Sequence, residues 1–278
     1  MRKLNAKLLK IKITHHDFDL LKSHFLLIII RHQIYGGLIM SGYMEQNHIL
    51  LIANPKIVAI PIIENHDPMI DVIHCSNIAY GPSPEIPNNT DYTKMRKAVY
   101  EKLKQAQSLL PKGLSFCLYE SYRSLDLQKI LFDTRHAKVK RQHPGWSPEQ
   151  LFTETIKMVS PVVNLDGSHN VPPHSTGAAV DVYLLDEQGK ALDMGIHPKD
   201  WMEDLDGSRS LTASQLISEK AKQNRRVMSN AMEAVGFVNY AHEYWHWSYG
   251  DRYWAYYKKK PHALYGSYKE VQPVHSIT

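Results

Sequence analysis

Two short segments of the chain carry residue types that can hold a metal ion. The first runs from His174 to Asp181 and places an imidazole and a carboxylate seven residues apart, with Gly177, Ala178 and Ala179 between them. Histidine and aspartate are both competent zinc ligands, and the small residues allow the backbone to approach closely. Taken alone, the segment is as typical of a loop histidine and a strand-terminal aspartate that make local hydrogen bonds as it is of a metal site.

The second segment contains the pattern H-E-x-x-H, from His242 to His246. On a helix this pattern places two histidines on one face, where both can bind the metal. A strand is favoured instead, because Gly236 ends the preceding helix and aromatic residues crowd the segment. In that alternative Glu243 and His246 form an E-x-x-H motif at a loop-to-strand junction, and His242 is incidental. A regular strand would put Glu243 and His246 on opposite faces, so a bend or bulge is required.

Helices and strands must bring these two segments together. Hydrophobic spacing and end signals predict helices over residues 91–110, 125–135 and 214–235, with a further helix opening at Ser147. Strands are predicted over residues 70–73, 114–119, 178–185 and 237–249, with one or two more between 48 and 63. This order of helices and strands along the chain predicts an α+β fold, in which helices flank a small mixed or antiparallel sheet and the metal site lies at the sheet.

Composition excludes several classes of protein. Of the 278 residues 43% are hydrophobic and 22% are charged, so the chain can bury a core and is not predominantly disordered. No stretch reaches the roughly 18 apolar residues of a membrane span. The net charge of +5 is scattered and no nucleic-acid-binding motif accompanies it. Two cysteines, Cys75 and Cys117, exclude a disulfide framework and a cysteine-based zinc finger.

The paired motifs resemble a known family. His174-x-x-Gly177-x-Ala-x-Asp181 followed by Glu243-x-Trp-His246 is similar to the D-alanyl-D-alanine dipeptidases of the vancomycin-resistance type, which belong to the zinc D,D-peptidases. Residues 119–123, which end in Tyr-Arg, and residues 224–226 and 232–237 extend the similarity over about residues 67–255. Each motif alone is unspecific, whereas the pair in this order is specific.

The resemblance implies a role for each matching residue. His174, Asp181 and His246 would be zinc ligands, leaving the fourth position for water as in catalytic sites. Glu243 would be the general base, and Arg123 would stabilise the developing oxyanion. The implied function is a zinc metallopeptidase that hydrolyses D-alanyl-D-alanine or a related D-amino-acid dipeptide in cell-wall precursor turnover.

The family also uses an aspartate, after a Met-Gly pair, to hold the ammonium group of the substrate. In this chain Met194-Gly195 is followed by residues 196–199 before Asp200, which is the candidate, and Asp193 and Asp204 compete with it. Substrate recognition is therefore less well defined than the metal site. A zinc D,D- or L,D-carboxypeptidase that acts on longer peptidoglycan stems and a catalytically silent zinc-binding module remain as alternatives.

Residues 1–66 are predicted to be an N-terminal extension, and residues 67–278 to be one catalytic domain. The extension is interpreted as sequence upstream of a true start at Met40 or Met44, or as a divergent export signal. Its apolar run over residues 25–30 is shorter than a usual signal core of about 7–15 residues. A cytoplasmic location is therefore expected, with the periplasm as the alternative, and the sequence does not indicate an oligomeric state.

Overall fold

The computed structural model describes residues 49–268, and from Leu50 onward these residues belong to one compact unit. The helices of this part are α1 (Pro55–Val58), α2 (Lys97–Ser108), α3 (Leu125–Gln142), α4 (Pro148–Thr155), α5 (Glu219–Ala234) and α6 (Arg252–Tyr257). The strands are β1 (Met69–Asp71), β2 (Ala79–Tyr80), β3 (Lys94–Arg96), β4 (Ser115–Glu120), β5 (Ala179–Leu185), β6 (Val238–Asn239) and β7 (His246–Ser248). Short 3₁₀ helices cover Val72–His74, Pro173–Thr176 and Pro198–Glu203.

A mixed sheet with the strand order β2-β4-β5-β7-β6 forms the centre of the described residues. Strand β2 is parallel to β4, and the other neighbours are antiparallel. The register pairs Glu120 with Asp181 and Asp181 with His246, so three chemically active side chains lie side by side on neighbouring strands. A separate small sheet pairs β1 with β3. This architecture confirms the predicted α+β class.

Strand β5 separates the hydrophobic core from the face that carries the polar residues. Val180, Val182 and Leu184 are fully buried in the main core, together with residues of α2 and α5. Because successive side chains of a strand point to opposite faces, Asp181 lies on the other face of the sheet. One strand therefore provides both the packing that stabilises the sheet and a carboxylate for the site.

The segment before the first strand differs from its prediction. Instead of strands between residues 48 and 63, the chain forms α1, because Asn54 caps a helix that has Pro55 in its first turn. Ile62 forms an isolated bridge with Ala263, and the amide of Ile63 donates to the carbonyl of Ala263 over 3.0 Å. Residues from 50 onward thus belong to the compact unit, and the predicted extension of residues 1–66 overlaps it.

The predicted strand over residues 237–249 is divided in two. Strands β6 and β7 flank a turn over residues 240–245, in which the Glu243 amide donates to the Tyr240 carbonyl over 2.8 Å. The predicted long helices persist with shifted ends, since α5 begins after its cap Ser218 and α2 begins only after strand β3. Among the described helices, none is both long and apolar enough to span a bilayer.

Candidate active site

Three side chains converge where β5, β7 and the 3₁₀ helix Pro173–Thr176 meet. His246 Nδ1 lies 3.1 Å from both Asp181 Oδ1 and His174 Nε2, and the latter two atoms are 3.4 Å apart. All three residues are buried. Two imidazole nitrogens and one carboxylate oxygen form a donor set that suits zinc, and three protein ligands leave a position for a further ligand. The three side chains predicted to bind zinc therefore lie within reach of a single ion.

His174 is oriented by its second ring nitrogen. Nδ1 lies 2.7 Å from the carbonyl of Ser121, so it carries the proton and Nε2 presents its lone pair to the cluster. The turn that holds His174 ends at Gly177, whose φ of 70° is readily adopted only by glycine. Such a hydrogen bond behind a ligand fixes both the tautomer and the ring orientation.

Glu243 reaches the same cluster from the turn that precedes β7. Its Oε2 lies 3.9 Å from His246 Nδ1, and the amide of His246 donates to the carbonyl of Glu243 over 3.1 Å. This turn takes the place of the bend or bulge required by the strand interpretation and excludes the helical one. His242 does not join the three converging side chains, and burial lowers its pKa to about 4. Burial, followed by the charge of Asp181, raises the pKa of Glu243.

Arg123 lies beside the cluster and is held by two neighbours. It donates to both carboxylate oxygens of Glu120, over 3.1 Å and 2.5 Å, and to Gln128 over 3.0 Å. Burial opposes the positive charge, but attraction to Glu120 outweighs it and raises the pKa of Arg123. Neither Glu120 nor Gln128 was predicted to be a site residue, although Glu120 stands three residues before Arg123 at the end of β4.

A cavity connects these groups to a further carboxylate. Its walls include the metal cluster, Glu243, Arg123, Glu85, Tyr119 and Trp201. Glu85 accepts a hydrogen bond from Trp201 Nε1 over 3.2 Å, and burial raises its pKa. It lies in a proline-rich turn that carries no motif, so the sequence offered no signal for it.

The structure does not bring the predicted ammonium-binding residue into this cavity. Asp200 is exposed and does not line the cavity, although the next residue, Trp201, does. The two competing aspartates serve local structure. Asp193 accepts from Ser218 and from the backbone, and Asp204 is buried and accepts from Ser210.

Comparison with known proteins places this arrangement among peptidases. The profile of the peptidase M15 family, described as D-ala-D-ala dipeptidase, matches residues 88–264. A D-alanyl-D-alanine dipeptidase of Synechocystis sp. is 26% identical over 228 residues, covering 73% of this chain and 90% of the relative. A D-alanyl-D-alanine dipeptidase of Escherichia coli is 27% identical over 134 residues, covering 48% of this chain and 54% of the relative.

Solved structures show more distant similarity. VanYB in complex with D-alanine-D-alanine is 16% identical with a TM-score of 0.35, covering 65% of this chain and 86% of the other. The LD-carboxypeptidase LdcB is 16% identical with a TM-score of 0.32, covering 76% of this chain and 80% of the other.

Proposed function

The chain belongs to the peptidase M15 family of D-Ala-D-Ala dipeptidases, and from this premise we propose that it hydrolyses D-alanyl-D-alanine or a related D-amino-acid dipeptide. One observation carries the proposal: the atoms suited to zinc, a buried carboxylate and a fixed guanidinium all line one cavity. Two relatives named D-alanyl-D-alanine dipeptidase support the substrate class. Such an activity belongs in the turnover of cell-wall precursors.

His174, Asp181 and His246 would hold the zinc ion through Nε2, a carboxylate oxygen and Nδ1 respectively. When bound, zinc polarises a carbonyl group and lowers the pKa of water toward about 7. Burial of the cluster and the contact between His174 Nδ1 and the Ser121 carbonyl help to fix the geometry of the ligands.

Glu243 would transfer the protons of the reaction. Its carboxylate lies beside the cluster without being one of the three converging groups, so it can take a proton from water. The same carboxyl group then gives the proton to the amine that leaves when the peptide bond breaks. Binding a proton in the first step and releasing it in the second is the ordinary role of a general acid–base group.

Arg123 would stabilise the negative charge that develops on the carbonyl oxygen of the substrate. Glu120 and Gln128 hold its guanidinium in place, so little reorganisation is needed when that charge appears. A donor that binds more strongly in the transition state than in the ground state accelerates the chemical step.

Glu85 would bind the ammonium group of a dipeptide in place of Asp200. The acidic residues that line the cavity are Glu85, Asp181 and Glu243, and Glu85 is the one outside the metal cluster and its adjacent base. Arg123 cannot neutralise it fully, because that guanidinium is already engaged with Glu120. A carboxylate without a cationic partner in a cavity favours a ligand with a positive charge.

A substrate panel on the zinc-loaded protein tests the proposed function. We expect hydrolysis of D-alanyl-D-alanine, little hydrolysis of N-acetyl-D-alanyl-D-alanine and none of L-alanyl-L-alanine. A preference for stem peptides with a D,D or L,D bond would favour the carboxypeptidase alternative. A zinc-bound protein that cleaves no member of the panel would favour the silent module.

The cytoplasm is our proposed location for this activity. The proposal depends only on the short apolar run over residues 25–30, which lies outside the described residues. Fractionation of the cells that make the protein, with detection of the chain in each fraction, tests it. Recovery from the periplasm would support the divergent export signal.

A further inference from the structure

A buried carboxylate behind the metal cluster has no part in the mechanism above. Asp251 is 2% exposed and caps helix α6, with Oδ1 accepting from the Trp254 amide over 2.8 Å. Its other oxygen, Oδ2, has no hydrogen-bond partner among the described residues. Burial raises the pKa of Asp251, and the Trp254 amide and the Ser248 side chain act in the opposite direction. Burying a carboxylate oxygen without a hydrogen-bond partner lowers the stability of the folded state. The buried position of Asp251 therefore needs an explanation.

Strand β7 places Ser248 between Asp251 and the cluster. His246 and Ser248 are two residues apart on one strand, so their side chains point to the same face. His246 Nδ1 faces Asp181, whereas its Nε2 lies 3.5 Å from Ser248 Oγ. Ser248 is fully buried, and after it Gly250, with a φ of 96°, turns the chain so that Asp251 comes close to Ser248.

We propose that Ser248 and Asp251 are positioning residues for His246, an inference that rests on the metal site of the proposed function. Ser248 Oγ accepts the Nε2 proton of His246. The Ser248 hydroxyl would then rotate to donate to Asp251 Oδ2, the oxygen that accepts no hydrogen bond from the described residues in the structure. A hydroxyl can accept and donate at once, so one serine serves both neighbours. The relay holds His246 in the tautomer whose Nδ1 lone pair faces the cluster.

The two histidines are thereby supported in different ways. His174 relies on a short hydrogen bond to a backbone carbonyl, which no substitution of a side chain removes. His246 relies on two side chains, on Ser248 directly and on Asp251 through the Ser248 hydroxyl. A cation at Nδ1 polarises the ring and strengthens Nε2–H as a donor, so the relay contributes most when the metal is bound.

Zinc affinity, measured by competition with a chromophoric chelator, is the first test. Ser248→Ala and Asp251→Asn should each weaken zinc binding by about 10–100-fold, as substitutions behind metal ligands do. Asparagine caps helices as well as aspartate, so Asp251→Asn should leave the melting temperature of the metal-free protein nearly unchanged. Ser214→Ala, which removes another buried hydroxyl that does not line the cavity, is the matched control and should bind zinc normally. Unchanged zinc affinity in both relay variants would overturn the proposal.

The tautomer of His246, measured by nitrogen-15 NMR on the metal-free protein, is the second test. Ser248→Ala should produce a mixture of tautomers at His246 and leave His174 in one tautomer. Asp251→Asn provides the same measurement if Ser248→Ala does not fold. A His246 tautomer that neither substitution changes would contradict the relay. Because this measurement needs no metal, it separates failure of the relay from failure of the proposed function, in which the wild-type protein would bind no zinc.

Discussion

Glu243 determines whether the cluster is an enzyme site or only a metal-binding site. Glu243→Gln keeps the size of the side chain but removes its ability to accept a proton. We expect hydrolysis to fall by about 100–10,000-fold, the usual contribution of a general base, with zinc content unchanged. Metal analysis and the rate on D-alanyl-D-alanine check this, and a wild-type rate in the variant would falsify the mechanism even if the ligands are correct.

The role of Arg123 in catalysis is best tested with a variant that keeps a positive charge beside Glu120. Arg123→Ala would leave Glu120, which is 0% exposed, without a cation, at a cost of about 3–5 kcal/mol in stability. Arg123→Lys keeps the charge and loses the fork that binds both oxygens of Glu120. We expect its turnover number to fall on the order of 100-fold at unchanged zinc content. A wild-type turnover number would mean that Arg123 only neutralises Glu120.

At the residue scale, the sequence predicted the groups that occur in motifs and missed the groups that support them. His174, Asp181 and His246 were named from spacing and resemblance, and the structure brings them together. Glu85 and Asp251 join the site through the fold alone, from a turn and from a helix cap. Spacing along the chain says nothing about such neighbours, because their contact depends on tertiary packing.

At the scale of elements, the turns next to the strands position the site. Gly250 shows how tightly one of them is constrained, since a Cβ there would overlap the ring of Tyr265, and its φ is 96°. Gly250→Ala should therefore lower the free energy of unfolding by about 3 kcal/mol, from backbone strain and overpacking together.

The matched control is Gly189→Ala. Gly189 has a φ of 75°, but a Cβ there would meet no heavy atom within 4 Å, so only the backbone cost of about 1 kcal/mol applies. Urea unfolding of both variants measures the difference. Equal losses would show that the ring of Tyr265 moves aside freely.

The division of the predicted strand over residues 237–249 has a local cause that composition did not indicate. Aromatic residues favour strands, and they misled the prediction for residues 240–245. The amide of Tyr244 donates to the Ser210 carbonyl and its hydroxyl to the Ile196 carbonyl, so long-range contacts hold the turn. Tertiary contacts override intrinsic preference here, while the long, strongly periodic helices were predicted correctly apart from their ends.

At the scale of the molecule, the segment before β1, residues 49–68, helps to hold the turn that carries His174. Buried Arg96 binds both oxygens of Glu64, over 3.0 Å and 3.1 Å, and donates to the Thr176 carbonyl in the turn that carries His174. A chain that starts at residue 67 loses Glu64 and leaves Arg96 without its partner. We expect it to be less stable by about 3–5 kcal/mol than a chain that starts at residue 49. Equal unfolding midpoints in urea would show that residues 49–66 are dispensable.

Recognition of the family is confirmed over most of the chain, because the match covers residues 88–264 and includes both motifs. The paired motifs were sufficient for this, since metal ligands and a base must keep their types and order in a peptidase of this kind. The start of the compact unit at Leu50 could not be predicted, because contacts such as the Glu64–Arg96 pair join positions 32 residues apart and leave no pattern in the sequence.

Zinc should contribute to the stability of the whole domain. Asp181 and Glu243 lie close together in a buried site, and burial together with their mutual repulsion raises the pKa of Glu243. A dication at the cluster relieves that repulsion, and a ligand that binds only the folded state stabilises it by about 4 kcal/mol at 1,000 times its Kd. For a domain of this size that corresponds to a rise in Tm of roughly 10 °C. Calorimetric scans with zinc and with a chelator measure the rise, and the same pair of scans on His174→Ala should show little of it. Coinciding scans of the wild-type protein would mean that the three converging side chains do not hold zinc in the folded state.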